Sequence, residues 1–297
     1  MSRYVPDVLS HRWVIISPQR TSRPTDSSNK KKKFVCPLCP GNEKMTPAEV
    51  LRYGGDEPNK QGWQVRVFPN KYPITDFHEV IAYTPDHKKD IEELSLKHVE
   101  LIFKAYKERY NFYKNKGRVL IFCNHGEHSG ASLTHPHSQL VVIPSQINLD
   151  TLSREPLNNI VDDNKYFNVY CPEFSQWPYE VWIAPKAAGK VFGEITDFEI
   201  TDLALVFQTI LRKIRKIYEK IKISNNPFGY NYYIYPNENW YIRLIPRLIH
   251  RAGFELGTGL SVNIVDPMTA ASELREIEER MEKIMTKLKN KMSSHHV

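Results

Sequence analysis

The stretch Ser132-Leu133-Thr134-His135-Pro136-His137-Ser138-Gln139-Leu140 sets two imidazoles one residue apart, stiffened by a proline, and runs into the apolar Val141-Val142-Ile143-Pro144. Side chains alternate between faces of an extended segment, so His135, His137 and Gln139 share one face. Such a face is poor core material, and three uses are open to it. The histidines could be hydrogen-bonded loop residues, or both could bind a metal from alternate strand positions. They could also divide the work, one fixing a metal and the other acting as a nucleophile. A neutral imidazole attacks phosphorus competently because its pKa lies near neutrality; the resulting phosphoramidate splits one phosphoryl transfer into two in-line steps. Gln139 could donate its amide to a non-bridging oxygen as charge builds there. Gly126, Gly130 and Ser132 put small residues and backbone N–H groups where phosphates could approach. That combination favours the divided reading.

A second chemical signal lies upstream. Cys36 and Cys39 form a C-x-x-C within Val35-Cys36-Pro37-Leu38-Cys39-Pro40-Gly41-Asn42. In a cytosolic protein this spacing reads as half a zinc site or as a redox pair. A redox pair would open a helix, which Pro37, Pro40 and Gly41 oppose, so zinc is the better reading, with two further ligands still required. The other two of the four cysteines, Cys123 and Cys171, stand alone and read as small core residues.

The elements that must position these groups repeat. At an offset of about 100 residues, Val80-Ile81-Ala82-Tyr83-Thr84-Pro85 matches Val181-Trp182-Ile183-Ala184-Pro185, each a β-rich run ending at proline. Helix starts follow at Glu93-Leu94-Ser95-Leu96 and Glu194-Ile195-Thr196-Asp197, where Thr196 and Glu199 make a capping box. Val99, Ile102, Phe103, Tyr106, Tyr110 and Tyr113 keep helical spacing, as do Leu203, Val206, Phe207, Ile210, Ile214 and Ile217. Two β-like stretches follow each helix: Val119 to Phe122 and Gln139 to Ile143, then Tyr230 to Tyr235 and Tyr241 to Ile245. A C-terminal helix is expected from Thr269 to Leu288. The spacing predicts an α+β chain of two tandem halves, about 1–150 and 151–297, sharing one largely antiparallel sheet with helices packed on it. In the second copy, Pro236-Asn237-Glu238-Asn239-Trp240-Tyr241 stands where the first has Thr134 to Gln139, so strand and closing proline persist while His, His and Gln do not. One half keeps the chemistry; the other keeps the scaffold.

Bulk properties bound the partners. With 41% hydrophobic and 11% aromatic residues the 297-residue chain is globular, and its net charge of +7 suits an anionic small substrate. No apolar run approaches membrane-spanning length and Met1-Ser2-Arg3-Tyr4-Val5-Pro6 is unlike a signal peptide, so a cytoplasmic protein without a membrane partner is expected. Much of the positive charge sits in Lys30 to Lys33 and in the stretch Lys283 to Lys291. A zinc-stabilised nucleic-acid module would interleave such charge with aromatics or carry a basic helix, and neither pattern is present, so no nucleic-acid partner is expected. The tetralysine has no functional account.

SLTHPHSQ resembles the active-site signature of the galactose-1-phosphate uridylyltransferase family, the transferase branch of the histidine-triad superfamily. The resemblance runs through Arg12 to Pro24, CPLCPGNE at Cys36 to Glu43, Val67 to Pro73, Tyr83 to His87, Phe122 to Gly126, Trp177 to Glu180 and Gly253 to Gly259, all in family order. It implies two histidine-triad-like halves and a reaction that exchanges a nucleoside monophosphate between a nucleotide sugar, UDP-glucose first, and a sugar phosphate. It implies His137 as the residue that becomes nucleotidylated, with Gln139 marking transfer rather than hydrolysis. One structural zinc would be held by Cys36, Cys39, His87 and His135. Arg20, Arg23, Asn70, Asn124 and Ser132 match nucleotide and phosphate contacts, and Glu255 a hexose-binding carboxylate in the second half. A homodimer is implied too, because family sites borrow residues across a twofold axis. Two departures stand out. Some members hold a second metal with a glutamate and three histidines; here Ser153 and Asn239-Trp240-Tyr241 fall at those places, and no second metal is expected. GFELGTG lacks a following glutamine, Ser261 falling near it, and in this the chain is also similar to ADP-glucose phosphorylases, which share fold, zinc and nucleophile.

Overall fold

The structure is a computed structural model that describes residues 2–7, 12–24, 34–147, 149, 152, 154–221 and 227–277. Lys30 to Lys33, Ser153 and the expected helical residues 278–288 lie outside the described residues. The first half holds β1 (Arg3–Pro6), β2 (Trp13–Ile16), β3 (Leu51–Tyr53), β4 (Val65–Pro69), β5 (His78–Ala82), α1 (Leu96–Tyr113), β6 (Arg118–His125) and β7 (His137–Ile143). The second holds β8 (Ile160–Asp163), β9 (Phe167–Tyr170), β10 (Val181–Pro185), α2 (Asp197–Ile221), β11 (Tyr230–Ile234), β12 (Ile242–Pro246), α3 (Gly253–Thr258) and the helical residues 267–277, α4.

β1 and β2 form a separate hairpin; the other ten strands make one antiparallel sheet in the order β3-β4-β5-β7-β6-β11-β12-β10-β9-β8. Read from either edge inward, the halves present equivalent strands in the same sequence, β5 opposite β10 and β7 opposite β12. The repeat in the chain is thus a near-twofold in the sheet, with β6 and β11 side by side at its centre, Asn124 across from Asn231. Among the described residues every strand pairing is antiparallel.

Both long helices pack on one face. Leu140 and Val142 of β7 and Ile121 of β6 join Ile102 and Tyr106 of α1 and Phe207 of α2 in the main core. Val141 and Ile143, pointing the other way, pack with Phe122 and with Tyr4 of β1 in a smaller cluster. His137 and Gln139 share that helix-free face by the same alternation. The helix starts are built as their residues suggest. The Ser95 side chain accepts from His98 N–H, while Thr196 N–H donates to Glu199 Oε2 at 2.7 Å and Glu199 N–H to Thr196 Oγ1 at 3.2 Å. The hydroxyls of Tyr83, Tyr106 and Tyr232 meet at 2.6 to 3.0 Å, joining β11 to the first half through buried polar groups that satisfy one another.

β5 is locked to α1 by a buried ion pair. Arg109 Nε and Nη2 donate to Glu79 Oε2 and Oε1 at 2.9 and 2.7 Å, and Tyr113 OH donates to Oε1 at 2.9 Å. Removing the cation strands a carboxylate in the core. Arg109→Met is therefore expected to cost about 3–5 kcal/mol in unfolding free energy, read from urea denaturation.

Candidate active site and metal cluster

Three segments converge at the start of β7. The turn 36–42 closes through Cys39 N–H to Cys36 O (3.3 Å), Asn42 N–H to Cys39 O (3.1 Å) and Asn42 Nδ2 to Cys36 O (2.8 Å). Gly41 supplies the left-handed φ of +92° that the turn requires. Cys39 Sγ then lies 3.2 Å from His87 Nδ1 and 3.6 Å from His135 Nδ1, and the ligand atoms of Cys36, Cys39, His87 and His135 all fall within 4.8 Å of one another.

The donor set fits a tetrahedral metal. His135 Nε2 lies 2.8 Å from Thr84 O, a carbonyl that can only accept, so the proton sits on Nε2 and the Nδ1 lone pair faces the cluster. His87 Nε2 is likewise engaged, 3.1 Å from Thr134 Oγ1. Metal-bound imidazoles characteristically have their second nitrogen held by an oxygen in this way. Burial pushes His135 down to about 4 and the Cys36 thiol up to about 12, so these groups favour their neutral forms until a cation draws the thiol to thiolate. The four residues form a Cys2His2 cluster that could hold one metal ion.

Two residues on, His137 Nδ1 lies 2.8 Å from His135 O. The carbonyl can only accept, so Nδ1 carries a proton, and in the neutral form of the ring Nε2 is the nitrogen with the lone pair. His137 and Gln139 line a cavity with Arg23, Asn70 and Ser132, walled by Phe34, Val35, Leu38, Phe68, Val80 and Leu133 and rimmed by Lys71 and Tyr72. Five of the eight residues expected outside the metal set thus meet in one place. Arg20 is not in this lining; its Nη1 donates to Tyr72 O at 2.9 Å and fastens the 70–73 loop, together with Ser17 Oγ donating to Pro73 O at 2.8 Å. Asn124, on the helix-free face of β6, has Oδ1 accepting from Asn231 Nδ2 at 2.7 Å, and that amide also donates to Ser129 O at 2.9 Å. Glu255 is not in the lining either. It is partly exposed in the first turn of α3, where Oε2 accepts from Ala252 N–H at 2.9 Å, a bond that lowers its pKa.

Sequence reasoning missed His78 and Asn231. Each is reached only through strand register, β5 against β7 and β11 against β6, for which no local pattern exists. The equivalent face of the second half is filled rather than hollow. Tyr241 stacks on Trp182 at 4.1 Å and on Tyr235 at 4.9 Å, and Asn239 Oδ1 accepts from Gly189 N–H at 2.8 Å. Beside them, the buried Arg243 donates to both oxygens of Glu180 at 2.7 and 2.9 Å.

Known proteins resemble this chain in both sequence and fold. Residues 75–143 match the family described as galactose-1-phosphate uridyl transferase, N-terminal domain. The ADP-glucose phosphorylase of Arabidopsis thaliana is 28% identical, over 91% of this chain and 92% of that protein. The galactose-1-phosphate uridylyltransferase of Thermotoga maritima is 26% identical, over 93% and 98%. In structure, the Arabidopsis ADP-glucose phosphorylase with bound ADP-glucose superposes with a TM-score of 0.69 at 27% identity, covering 93% of this chain and 99% of that one. A structure described as a uridylyltransferase superposes at 0.74 with 21% identity, covering 94% and 99%, which shows a shared fold. The SLTHPHSQ resemblance is therefore part of a similarity, along nearly the whole chain, to the galactose-1-phosphate uridylyltransferase family and to an ADP-glucose phosphorylase.

Proposed function

We propose that the protein is a nucleotidyltransferase that moves a nucleoside monophosphate through a covalent nucleotidyl-His137. The observation that carries this reading is the His137 tautomer: with Nδ1–H held by His135 O, the neutral ring offers Nε2 to a phosphorus atom in a cavity of about 230 Å³. Attack on the α-phosphorus of a nucleotide sugar forms the N–P bond as the P–O bond to the sugar 1-phosphate breaks. The leaving group departs as a phosphate, so it needs no proton, and the ring's positive charge is shared with the Nδ1–H···O bond. A phosphate oxygen of the second substrate then attacks from the vacated side and returns the neutral ring. Gln139 and Asn70 offer amide N–H groups to the phosphoryl oxygens, Arg23 and Lys71 offer charge, and Ser132 a hydroxyl. Arg20 serves by holding the 70–73 loop, and Asn124 by bridging the halves at the loop before Ser132. Cys36, Cys39, His87 and His135 would hold zinc, which would pin the start of β7.

The cavity is smaller than the roughly 300–1,000 Å³ that enclose drug-sized ligands, which supports its holding the nucleotide end while the hexose lies beyond it. In this reading residues 1–150 carry the zinc and the nucleophile, residues 151–297 carry the sugar loop with Glu255, and a second copy of the chain brings Glu255 to the site in a cytoplasmic homodimer. The substrates we assign are UDP-glucose and a hexose 1-phosphate, galactose 1-phosphate first. A second reading, transfer of an adenylyl group from ADP-glucose to inorganic phosphate, is favoured by the 28% identity to a phosphorylase and by Ser261 near the place of the family's glutamine.

Isotope exchange tests the two-step course. Labelled glucose 1-phosphate should enter UDP-glucose, or ADP-glucose in the second reading, with no third substrate present. Exchange that requires the acceptor would mean a single direct displacement. Which nucleotide sugar exchanges identifies the base.

A further inference from the structure

Gln139 can assist phosphoryl transfer only if its NH2, and not its carbonyl, faces the cavity, and an amide has no intrinsic preference between the two. The hydrogen bonds around His78 decide it. Ile74 N–H, an unambiguous donor, points at His78 Nδ1 at 2.9 Å, so Nδ1 is the bare nitrogen and the neutral ring carries its proton on Nε2. That N–H lies 3.0 Å from Gln139, and the atom receiving it must be an acceptor, Oε1. Asn70 Nδ2 also sits 3.2 Å from His78 Nε2, but both atoms carry hydrogen, so this pair is a contact and not a bond. The Asn70 carbonyl is taken by Tyr72 N–H at 2.8 Å, which leaves Asn70 too with its NH2 for a ligand. His78 is buried in β5, two positions from the residue paired with Gln139 in β7, so it reaches across the sheet diagonally.

We propose that His78 is a positioning residue: a backbone-fixed imidazole that ties back the Gln139 carbonyl and so presents the amide N–H groups to the transferring phosphoryl group. His78 touches no substrate in this scheme. Burial, and the nearby guanidinium charges of Arg20 and Arg23, push its pKa down to about 3, so the ring stays neutral and its orientation holds through the working range of pH. Nothing in SLTHPHSQ reveals this dependence, because the two residues are 61 positions apart.

The inference rests on the nucleotidyl-His137 reading, and one series of measurements separates the two. Wild-type full-length protein is mixed with UDP-glucose or ADP-glucose, and the first-order rate of nucleotidylation and the apparent Kd are followed by rapid quench. Removing the donor with His78→Leu should slow the step by roughly 100-fold, the usual effect of losing one oriented donor, with Kd changed by no more than about threefold. His78→Gln keeps an N–H donor and should recover most of the rate. In a Gln139→Ala background, His78→Leu should have no further effect, because the amide it orients is gone. If the wild type forms an adduct but the two losses multiply, or if His78→Leu reacts at the wild-type rate, the positioning role is overturned and the covalent reading stands. If no wild-type adduct forms with either sugar, the covalent reading falls and the inference falls with it. Melting temperatures accompany each variant; a His78→Leu chain that fails to fold leaves His78→Gln, whose rate must then lie within about tenfold of wild type for the role to hold.

Discussion

Replacing His137 by Ala should lower turnover by on the order of 10⁵-fold or more, because the residue supplies the atom that bonds to phosphorus. The loss should be chemical and not structural. His137 begins β7 with its side chain in a cavity, while the strand is held by Leu140 and Val142 in the core and by pairing to β5 and β6 on both sides. The variant is expected to keep its melting temperature to within about 2 °C and still to bind nucleotide sugar, since Arg23, Asn70 and Ser132 remain. Its kcat/KM and its thermal transition, measured together, separate lost chemistry from lost fold. Activity within about tenfold of wild type would remove the ring from the mechanism.

The second large effect concerns the metal. Wild-type protein should contain one zinc per chain, and His135→Ala or Cys39→Ala should contain almost none. His135 is fully buried, with one nitrogen on Thr84 O and the other on the cluster, so its removal unties the start of β7 from both the 36–42 turn and the loop after β5. Breaking a closed structural site should cost several kcal/mol and lower the melting temperature by roughly 10 °C for a chain of this size. Activity should fall in parallel, because His137 follows His135 by two residues and takes its ring orientation from the His135 carbonyl. Chelation followed by re-addition of zinc should restore both properties. A metal-stripped chain with unchanged melting and full turnover would show that the cluster holds nothing the site needs.

Much of the scaffold is legible in the chain because it rests on local rules. The spacing of Val99, Ile102, Phe103 and Tyr106, the Ser95 cap and the Thr196–Glu199 box set the two long helices at their observed places. The repeated strand–helix–strand–strand order predicts one shared sheet, and the sheet is continuous through β6 and β11. The pairing of Cys36 and Cys39 with His87 and His135 follows from resemblance and not from spacing, since 48 and 96 residues separate Cys39 from the two histidines. Other features are set by register alone. β3, β4, β8 and β9 span only three to five residues each, too few for alternation alone to mark them as strands. Asn231 meets Asn124 because β11 lies against β6 in one alignment, and a slip of one residue would turn either side chain to the opposite face. The tautomers of His78, His135 and His137 depend on which backbone groups face each ring, information that exists only once the chain is folded.

A bond between His137 Nε2 and phosphorus is the central event of the proposed reaction, and intact-mass measurement of the purified chain reads that bond directly. After brief incubation with UDP-glucose or ADP-glucose in separate tubes and no acceptor, the chain should gain the mass of one nucleoside monophosphate from one of them. The adduct should be lost in mild acid, map by peptide analysis to the segment containing His137, and be absent from His137→Ala. An unmodified chain in both tubes, or an adduct that persists in His137→Ala, would contradict the account.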